Sequence, residues 1–325
     1  MIYKFKVSLS PYVGTKETVF SVMRDVIIAL LPIYIMAFVY YGEIVFLVTL
    51  LSVSSAVVSE IICNKIMKKK VSIFDGSAII TALLFTLIIP PYLFWWQIVI
   101  GSSVAIILGK MVFGGLGQNI FNPAFVGLAF LMNSWPIQLT KWGRTGLDGN
   151  VGASLLKGID GSTGATPLEI LKGQGYDKVI ETFGGVKSLY SSLFLGNYAG
   201  TFGEVSVLAI LIGGIYLLIR KQISWHIPLI YIITVYLAFL IKGENPLFHI
   251  LTGGLILGAF FMATDMVTSP ITSKGKIIFA VGAGLLTVLI RSKGSFYEGV
   301  CYSILFMNAI TPLINKISKP KRFGG

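Results

Sequence analysis

The stretch G-S-A-I-I-T-A-L-L-F-T-L-I-I-P-P, Gly76 to Pro91, is apolar from Ala78 to Ile89 except for two threonines, and is closed by Gly-Ser on one side and Pro-Pro on the other. A helix needs about 20 residues to cross the hydrocarbon core of a bilayer, so this run is too short to span unaided. A related pattern returns in the second half of the chain as T-G-G-L-I-L-G-A-F-F-M-A-T-D-M-V-T-S-P, Thr252 to Pro270, where Pro270 matches Pro90 and Pro91 loosely. Each is followed by a further apolar run and then by F-G-G-L-G-Q-N-I-F-N-P-A (Phe113 to Ala124) or F-Y-E-G-V-C-Y-S-I-L-F-M-N-A-I-T-P (Phe296 to Pro312), so that Asn122-Pro123 answers to Asn308 and Pro312. Short segments interrupted by Gly and Pro at matching places in two halves point to a central site, because broken helices turn backbone N–H and C=O groups toward a cavity. They also suit simple kinks and close glycine-mediated packing. The pattern allows both.

The surroundings of these segments are those of a polytopic membrane protein. The chain is 55% hydrophobic and 12% charged, with mean hydropathy +0.83, far from a soluble domain. The first 25 residues are too polar for a secretory signal, and the first apolar run reads as a true span. About ten apolar segments follow one another, near residues 26–41, 44–63, 77–89, 93–108, 121–132, 205–219, 227–241, 248–263, 277–290 and 297–314. Cys63 and Cys301 lie far apart in apolar runs and read as small buried hydrophobes. His226 and His249 sit at span ends without a ligand spacing, so no metal is expected.

Charge orients the chain. With a cytoplasmic N-terminus, the cytoplasmic side collects Lys4, Lys6, Lys16, Arg24, Lys65, Lys68, Lys69, Lys70, Lys110, Arg220, Lys221, Lys274, Lys276, Lys316, Lys319, Lys321 and Arg322. Only Lys242, Arg291 and Lys293 fall in short loops on the other side. The net charge of +12 then reflects a basic face held against anionic lipid, and nucleic-acid binding is not indicated because no soluble domain gathers these lysines. Five spans precede the polar connection near 133–201, which is therefore expected to be extracytoplasmic. The expected organisation is a cytoplasmic segment 1–25, a five-helix repeat 26–132, the connection 133–201, a second five-helix repeat 202–314 and a cytoplasmic basic tail 315–325. An odd-numbered unit must invert on duplication.

Within this frame the candidate chemistry is sparse. F-G-G-L-G-Q-N-I-F-N-P-A lacks the Lys-Ser/Thr of a phosphate loop and has no preceding strand, so a re-entrant or broken-helix turn containing Gly114, Gly115, Asn119 and Asn122 is expected. Of the acids in or beside spans (Asp25, Glu43, Glu60, Asp75, Glu204, Asp265 and Glu298), Asp25 reads as a neutral pair with Arg24 at the water interface. Glu60, Asp75 and Asp265 read as deep enough for ion or proton coupling. Trp95 and Trp96 read as interfacial belt residues.

The connection holds D-G-S-T-G-A-T-P-L-E, Asp160 to Glu169. Thr166-Pro167-Leu168-Glu169 fits a capping box with proline at the first helical position, and spacing alone favours an ordinary helix start. The same N-terminus, with free N–H groups and a positive dipole end, is compatible with a phosphate on Thr166.

Taken together, S-P-Y near the start, D-V-I-I-A-L-L-P (Asp25 to Pro32), D-G-S-A-I-I-T (Asp75 to Thr81), F-G-G-L-G-Q-N-I-F-N-P-A, D-G-S-T-G-A-T, T-D-M-V-T-S-P-I-T (Thr264 to Thr272) and M-N-A-I-T-P-L-I (Met307 to Ile314) resemble the RnfD/NqrB family over nearly the whole chain. That family comprises the flavin-bearing membrane subunits of Rnf ferredoxin:NAD oxidoreductase and of sodium-pumping NADH:quinone reductase. The resemblance implies FMN esterified through its phosphate to Thr166 by a flavin transferase outside the membrane. Asp160, Thr163, Gly164 and Ala165 would be the recognition context. It also implies a place beside other membrane, extracytoplasmic flavoprotein and iron–sulfur subunits in a prokaryotic cell membrane, and a fold similar to urea transporters. A second, non-covalent flavin, riboflavin in the NqrB relatives, is expected near Gly114 to Pro123 and Thr264 to Pro270. The short N-terminal region favours the Rnf type over the NqrB type. A redox-inactive channel or transporter of the same fold is the competing expectation.

Overall fold

A computed structural model describes residues 18–69, 75–140, 142, 165–196, 198–204, 206–294 and 299–319. Among these residues there are helices and turns and no strand. The first half comprises α1 (Val19–Tyr41), α2 (Ile44–Ile66), α3 (Ser77–Ile88), α4 (Trp95–Ile106, extended as a π-helix over Ile107–Met111) and α5 (Pro123–Ser134). The connection adds α6 (Pro136–Leu139), α7 (Pro167–Gln174), α8 (Tyr176–Thr182) and α9 (Val186–Leu195). The second half comprises α10 (Val207–Ile219), α11 (His226–Lys242), α12 (Pro246–Leu251), α13 (Leu255–Leu257, extended as a π-helix over Gly258–Met262), α14 (Ser273–Lys293) and α15 (Val300–Ile317).

Four of these helices, α1, α2, α14 and α15, are long and apolar enough to cross a bilayer, and α3, α4, α5, α10 and α11 are shorter apolar helices. The first begins seven residues before the expected start at Val26, because Thr18 caps it: Thr18 Oγ1 accepts from Ser21 N at 3.2 Å. Its buried stripe is Asp25, Ala29, Leu30, Ile33, Ala37 and Tyr41, while Leu31, Ile35 and Phe38 face outward. Outward aliphatic and aromatic side chains on a helix whose inner face is small or polar are the signature of a lipid-facing surface.

The short opening segment behaves differently. Ten of the twelve residues of α3 are buried, so it is a core helix covered by protein on all sides. It starts at Gly76 (φ 75°) and gives way to extended chain at Ile89. The expected span 248–263 is likewise broken, into α12 and α13, with Gly253 and Gly254 both at φ 63° between them. The left-handed region there favours glycine.

Packing follows a regular scheme. In the first half α2 packs on α3 and α4, and α4 on α5; in the second, α11 packs on α12 and α14, and α14 on α15. The halves meet through α1 with α10 and through α5 with α15. Small residues set the approach: a Cβ on Gly213 of α10 would lie 2.1 Å from the Ala29 carbonyl oxygen of α1, and one on Gly127 of α5 would lie 2.6 Å from the Gly101 carbonyl of α4. Hydroxyls supply the polar contacts, Ser55 Oγ with Ser103 Oγ at 2.8 Å and Tyr231 OH with Thr287 Oγ1 at 2.6 Å. The end of the connection departs from the expected polar loop, since residues 198–204 are all buried.

Candidate functional site

Thr166 is the N-cap of α7, with φ −66° and ψ 155°. Its Oγ1 accepts from Glu169 N at 3.2 Å, while Glu169 Oε2 accepts from Thr166 N at 3.0 Å, so the expected capping box is formed. The other carboxylate oxygen of Glu169 accepts from Trp142 Nε1 at 3.0 Å. Thr166 is buried and Ala165 exposed; Asp160, Thr163, Gly164 and Glu298 lie outside the described residues. Two residues on, Leu168 is buried against the glycine pair that breaks the second half: a Cβ on Gly253 would lie 2.5 Å from Leu168 Cδ1. The Thr166 helix is thus seated on the interruption between α12 and α13.

That interruption is held by Arg291, at the end of α14. Its guanidinium donates to the carbonyls of His249, Thr252 and Gly253, the last two at 3.0 Å each, satisfying groups that the break removes from a helical ladder. Beside it, Glu244 accepts from His249 Nε2 at 2.9 Å and pairs with Lys242 at 2.5 Å. Burial works to raise the Glu244 carboxyl, but the hydrogen bonds and charges of Lys242 and His249 outweigh it and hold it below the ordinary glutamate range. Leu168, Leu171 and Lys172 join these groups around a cleft of about 210 Å³.

At the far side of the bundle the remaining candidates converge. A cavity of about 130 Å³ is lined by Lys110, Ser77, Asn119, Asn122, Asp265 and Phe260, among others. Asn122 ties it together: its Nδ2 donates to Met262 O at 3.2 Å, its Oδ1 accepts from Ala124 N at 3.1 Å, and its backbone N donates to Asn308 Oδ1 at 3.1 Å. Asn308 Nδ2 in turn donates to Thr268 O at 3.3 Å, so the two asparagines matched in the sequence clasp each other's halves. Asp265 accepts from Thr268 Oγ1 at 3.0 Å and Val267 N at 3.4 Å. Glu60 and Asp75 join through Lys110. The ammonium donates to Glu60 Oε1 at 2.8 Å and Ser77 Oγ at 2.6 Å, and Ser77 Oγ donates to Asp75 Oδ1 at 2.5 Å. Gly114 (φ 122°) and Gly115 (φ 109°) shape the preceding turn and are not among the cavity's lining residues.

The NQR2, RnfD, RnfE family model matches residues 6–324. The chain belongs to that family. Among its relatives, the D component of the proton-translocating ferredoxin:NAD(+) oxidoreductase complex of Clostridium ljungdahlii is 46% identical, covering 98% of this chain and 96% of the relative. The D component of the Na(+)-translocating ferredoxin:NAD(+) oxidoreductase complex of Acetobacterium woodii is 40% identical, over 98% and 95%. The D component of the ion-translocating oxidoreductase complex of Stutzerimonas stutzeri is 38% identical, over 95% and 93%.

In this family member three charged residues carry roles that sequence reading gave to water. Asp25, taken for an interfacial partner of Arg24, is buried and accepts from Arg220 Nε at 3.0 Å and Gln222 Nε2 at 3.1 Å, with Arg24 no nearer than 4.0 Å. Lys110 and Arg291, counted as loop cations, are both buried. For Arg291 the break at Gly253–Gly254 was the available signal, since a broken helix needs donors for its freed carbonyls, whereas Lys110 serves the Glu60 carboxylate and the Ser77 hydroxyl.

Proposed function

We propose that this chain is the flavin-carrying membrane subunit of a ferredoxin:NAD oxidoreductase complex of the Rnf type, in which electron transfer drives export of sodium or protons. The observation that carries the reading is identity to the D components of such complexes over nearly the full length of both chains. The cofactor is FMN, joined through its phosphate to Thr166. The geometry of Thr166 suits a phosphoester: Oγ1 acts toward Glu169 N as an acceptor, and an ester oxygen accepts the same bond. The positive dipole end of α7 suits the phosphate, and Ala165 beside Thr166 is exposed. Asp160, Thr163 and Gly164 complete the motif read by a flavin transferase. FMN there supplies a carrier of one or two electrons. The chain's own part is positional, through Glu169 and Trp142 fixing the cap and Leu168 seating it on Gly253.

The cavity beside Asn119, Asn122 and Asp265 is the proposed place of a second, non-covalent flavin such as riboflavin. Apolar walls from Val26, Leu217 and Phe261 suit a ring and the amides and carboxyl suit its polar edge, but at about 130 Å³ the cavity has to widen to admit a whole flavin. The architecture is proposed as two inverted five-helix repeats similar to urea transporters. The matched packing of the two halves and the paired left-handed glycines Gly76 and Gly254 support this. The lysine and arginine distribution supports cytoplasmic termini and an extracytoplasmic Thr166 in a prokaryotic cell membrane. The partners are the other subunits of the complex and the transferase.

In-gel flavin fluorescence after denaturation tests the reading. The wild-type chain made with a flavin transferase is expected to fluoresce and Thr166→Ala to be dark; a dark wild-type chain overturns it.

A further inference from the structure

Residues 198–204 form a buried wedge between the two interrupted helices. Gly203 N donates to Leu87 O in the last turn of α3 at 2.7 Å, and a Cβ on Gly203 would lie 2.7 Å from Leu257 Cδ2 in α13. Tyr41 OH donates to Gly200 O at 2.9 Å and Tyr198 OH to Glu204 O at 2.5 Å, fixing the wedge from two directions. Its last residue, Glu204, is 7% exposed and sits against Gly254, where a Cβ would lie 2.9 Å from Oε1.

Glu204 lines a cavity of about 20 Å³ whose other walls include Ile88, Phe125, Leu128, Val300 and Cys301. That volume is about the space of a single water or a bare monovalent ion. Buried Glu60 and Asp25 each have a cation at 2.8 and 3.0 Å. Glu204 has none within salt-bridge distance among the described residues. Glu204 N donates to Thr201 O at 3.2 Å, the buried Thr201 hydroxyl in the same turn has no hydrogen-bond partner among the described residues, and Arg291 attracts the carboxylate from farther away. The other titratable groups facing it are Tyr41 and Tyr198, beside the wedge, and Cys301 of α15. A carboxylate so placed is costly as a bare anion and is relieved by taking up a cation. This cavity also backs onto the Asp265 cavity. Ala124 lines that one and Phe125 this one, and Phe260 and Gly258 divide in the same way.

We propose that Glu204 is a binding site for a transported monovalent cation, a proton or sodium, at the meeting point of the two interrupted helices. The inference rests on the ion-translocating reading above. The site cycles between a neutral acid or a sodium carboxylate and the free carboxylate, with no electron gained or lost at Glu204.

Dicyclohexylcarbodiimide, which attacks protonated carboxyls in apolar surroundings, tests it on the purified complex, with labelling of the Glu204 peptide read by mass spectrometry. Labelling that declines as pH rises is expected. Protection by sodium chloride identifies sodium as the cargo, and its absence identifies the proton. In vesicles, Glu204→Gln is expected to lose ion transport while ferredoxin-dependent NAD reduction continues under uncoupled conditions, and Glu204→Asp to keep part of the transport. An unlabelled Glu204, or a Glu204→Gln complex with wild-type ions per electron, overturns the proposal. Absence of NAD reduction by the wild-type complex strikes the Rnf reading instead, and labelling still decides the site.

Discussion

At the residue scale, Thr166 Oγ1 caps α7, and the proposed ester would use the same oxygen. The cap needs an acceptor for Glu169 N, and the proposed ester keeps one. Thr166→Ser is therefore expected to retain both cap and fluorescence, whereas Thr166→Ala loses the flavin and about 1 kcal/mol of stability, read by thermal denaturation. The buried pair of Lys110 and Glu60 invites a different experiment. Lys110→Met strands a carboxylate in the bundle and is expected to cost about 3–5 kcal/mol, most of it recovered by adding Glu60→Leu, as thermal denaturation in detergent would register. The capping box was legible because T-x-x-E is a local pattern. Asp25 was not, because Arg220 and Gln222 reach it from a distant helix end and adjacency favoured Arg24.

At the element scale, hydrophobic run length marked most helices, and Gly76 and Pro90 stand at the ends of α3, but it joined 248–263 into one span where the Gly253–Gly254 pair breaks it. It misplaced the start of α1, whose first turn is set by the Thr18 cap rather than by hydropathy. It also missed the burial of residues 198–204, a stretch rich in glycine and hydroxyl groups that reads as loop and is enclosed only because two broken helices leave room for it. Close helix contact gives this scale its own prediction. Gly213→Ala sets a methyl against the Ala29 carbonyl and must part α1 from α10, with an expected cost of about 1–3 kcal/mol visible as a lower denaturation midpoint.

At the scale of the whole molecule, two interrupted helices are each met by a buried cation from the end of a neighbouring helix, Lys110 at the start of α3 and Arg291 before α13. The correspondence follows the sequence match between the two glycine-opened segments, and it was invisible to charge counting, which treats every lysine or arginine at a span end as solvated. The Thr166 helix rests on the second of these sites, so the proposed flavin attachment and the proposed ion site at Glu204 share the Gly253–Gly254 interruption. Peptide mass spectrometry of the chain co-produced with a flavin transferase decides whether that attachment exists. The peptide containing Asp160 to Glu169 is expected to carry the mass of FMN less one water, with fragment ions placing it on Thr166. An unmodified peptide, or an adduct on another residue, would contradict the assignment.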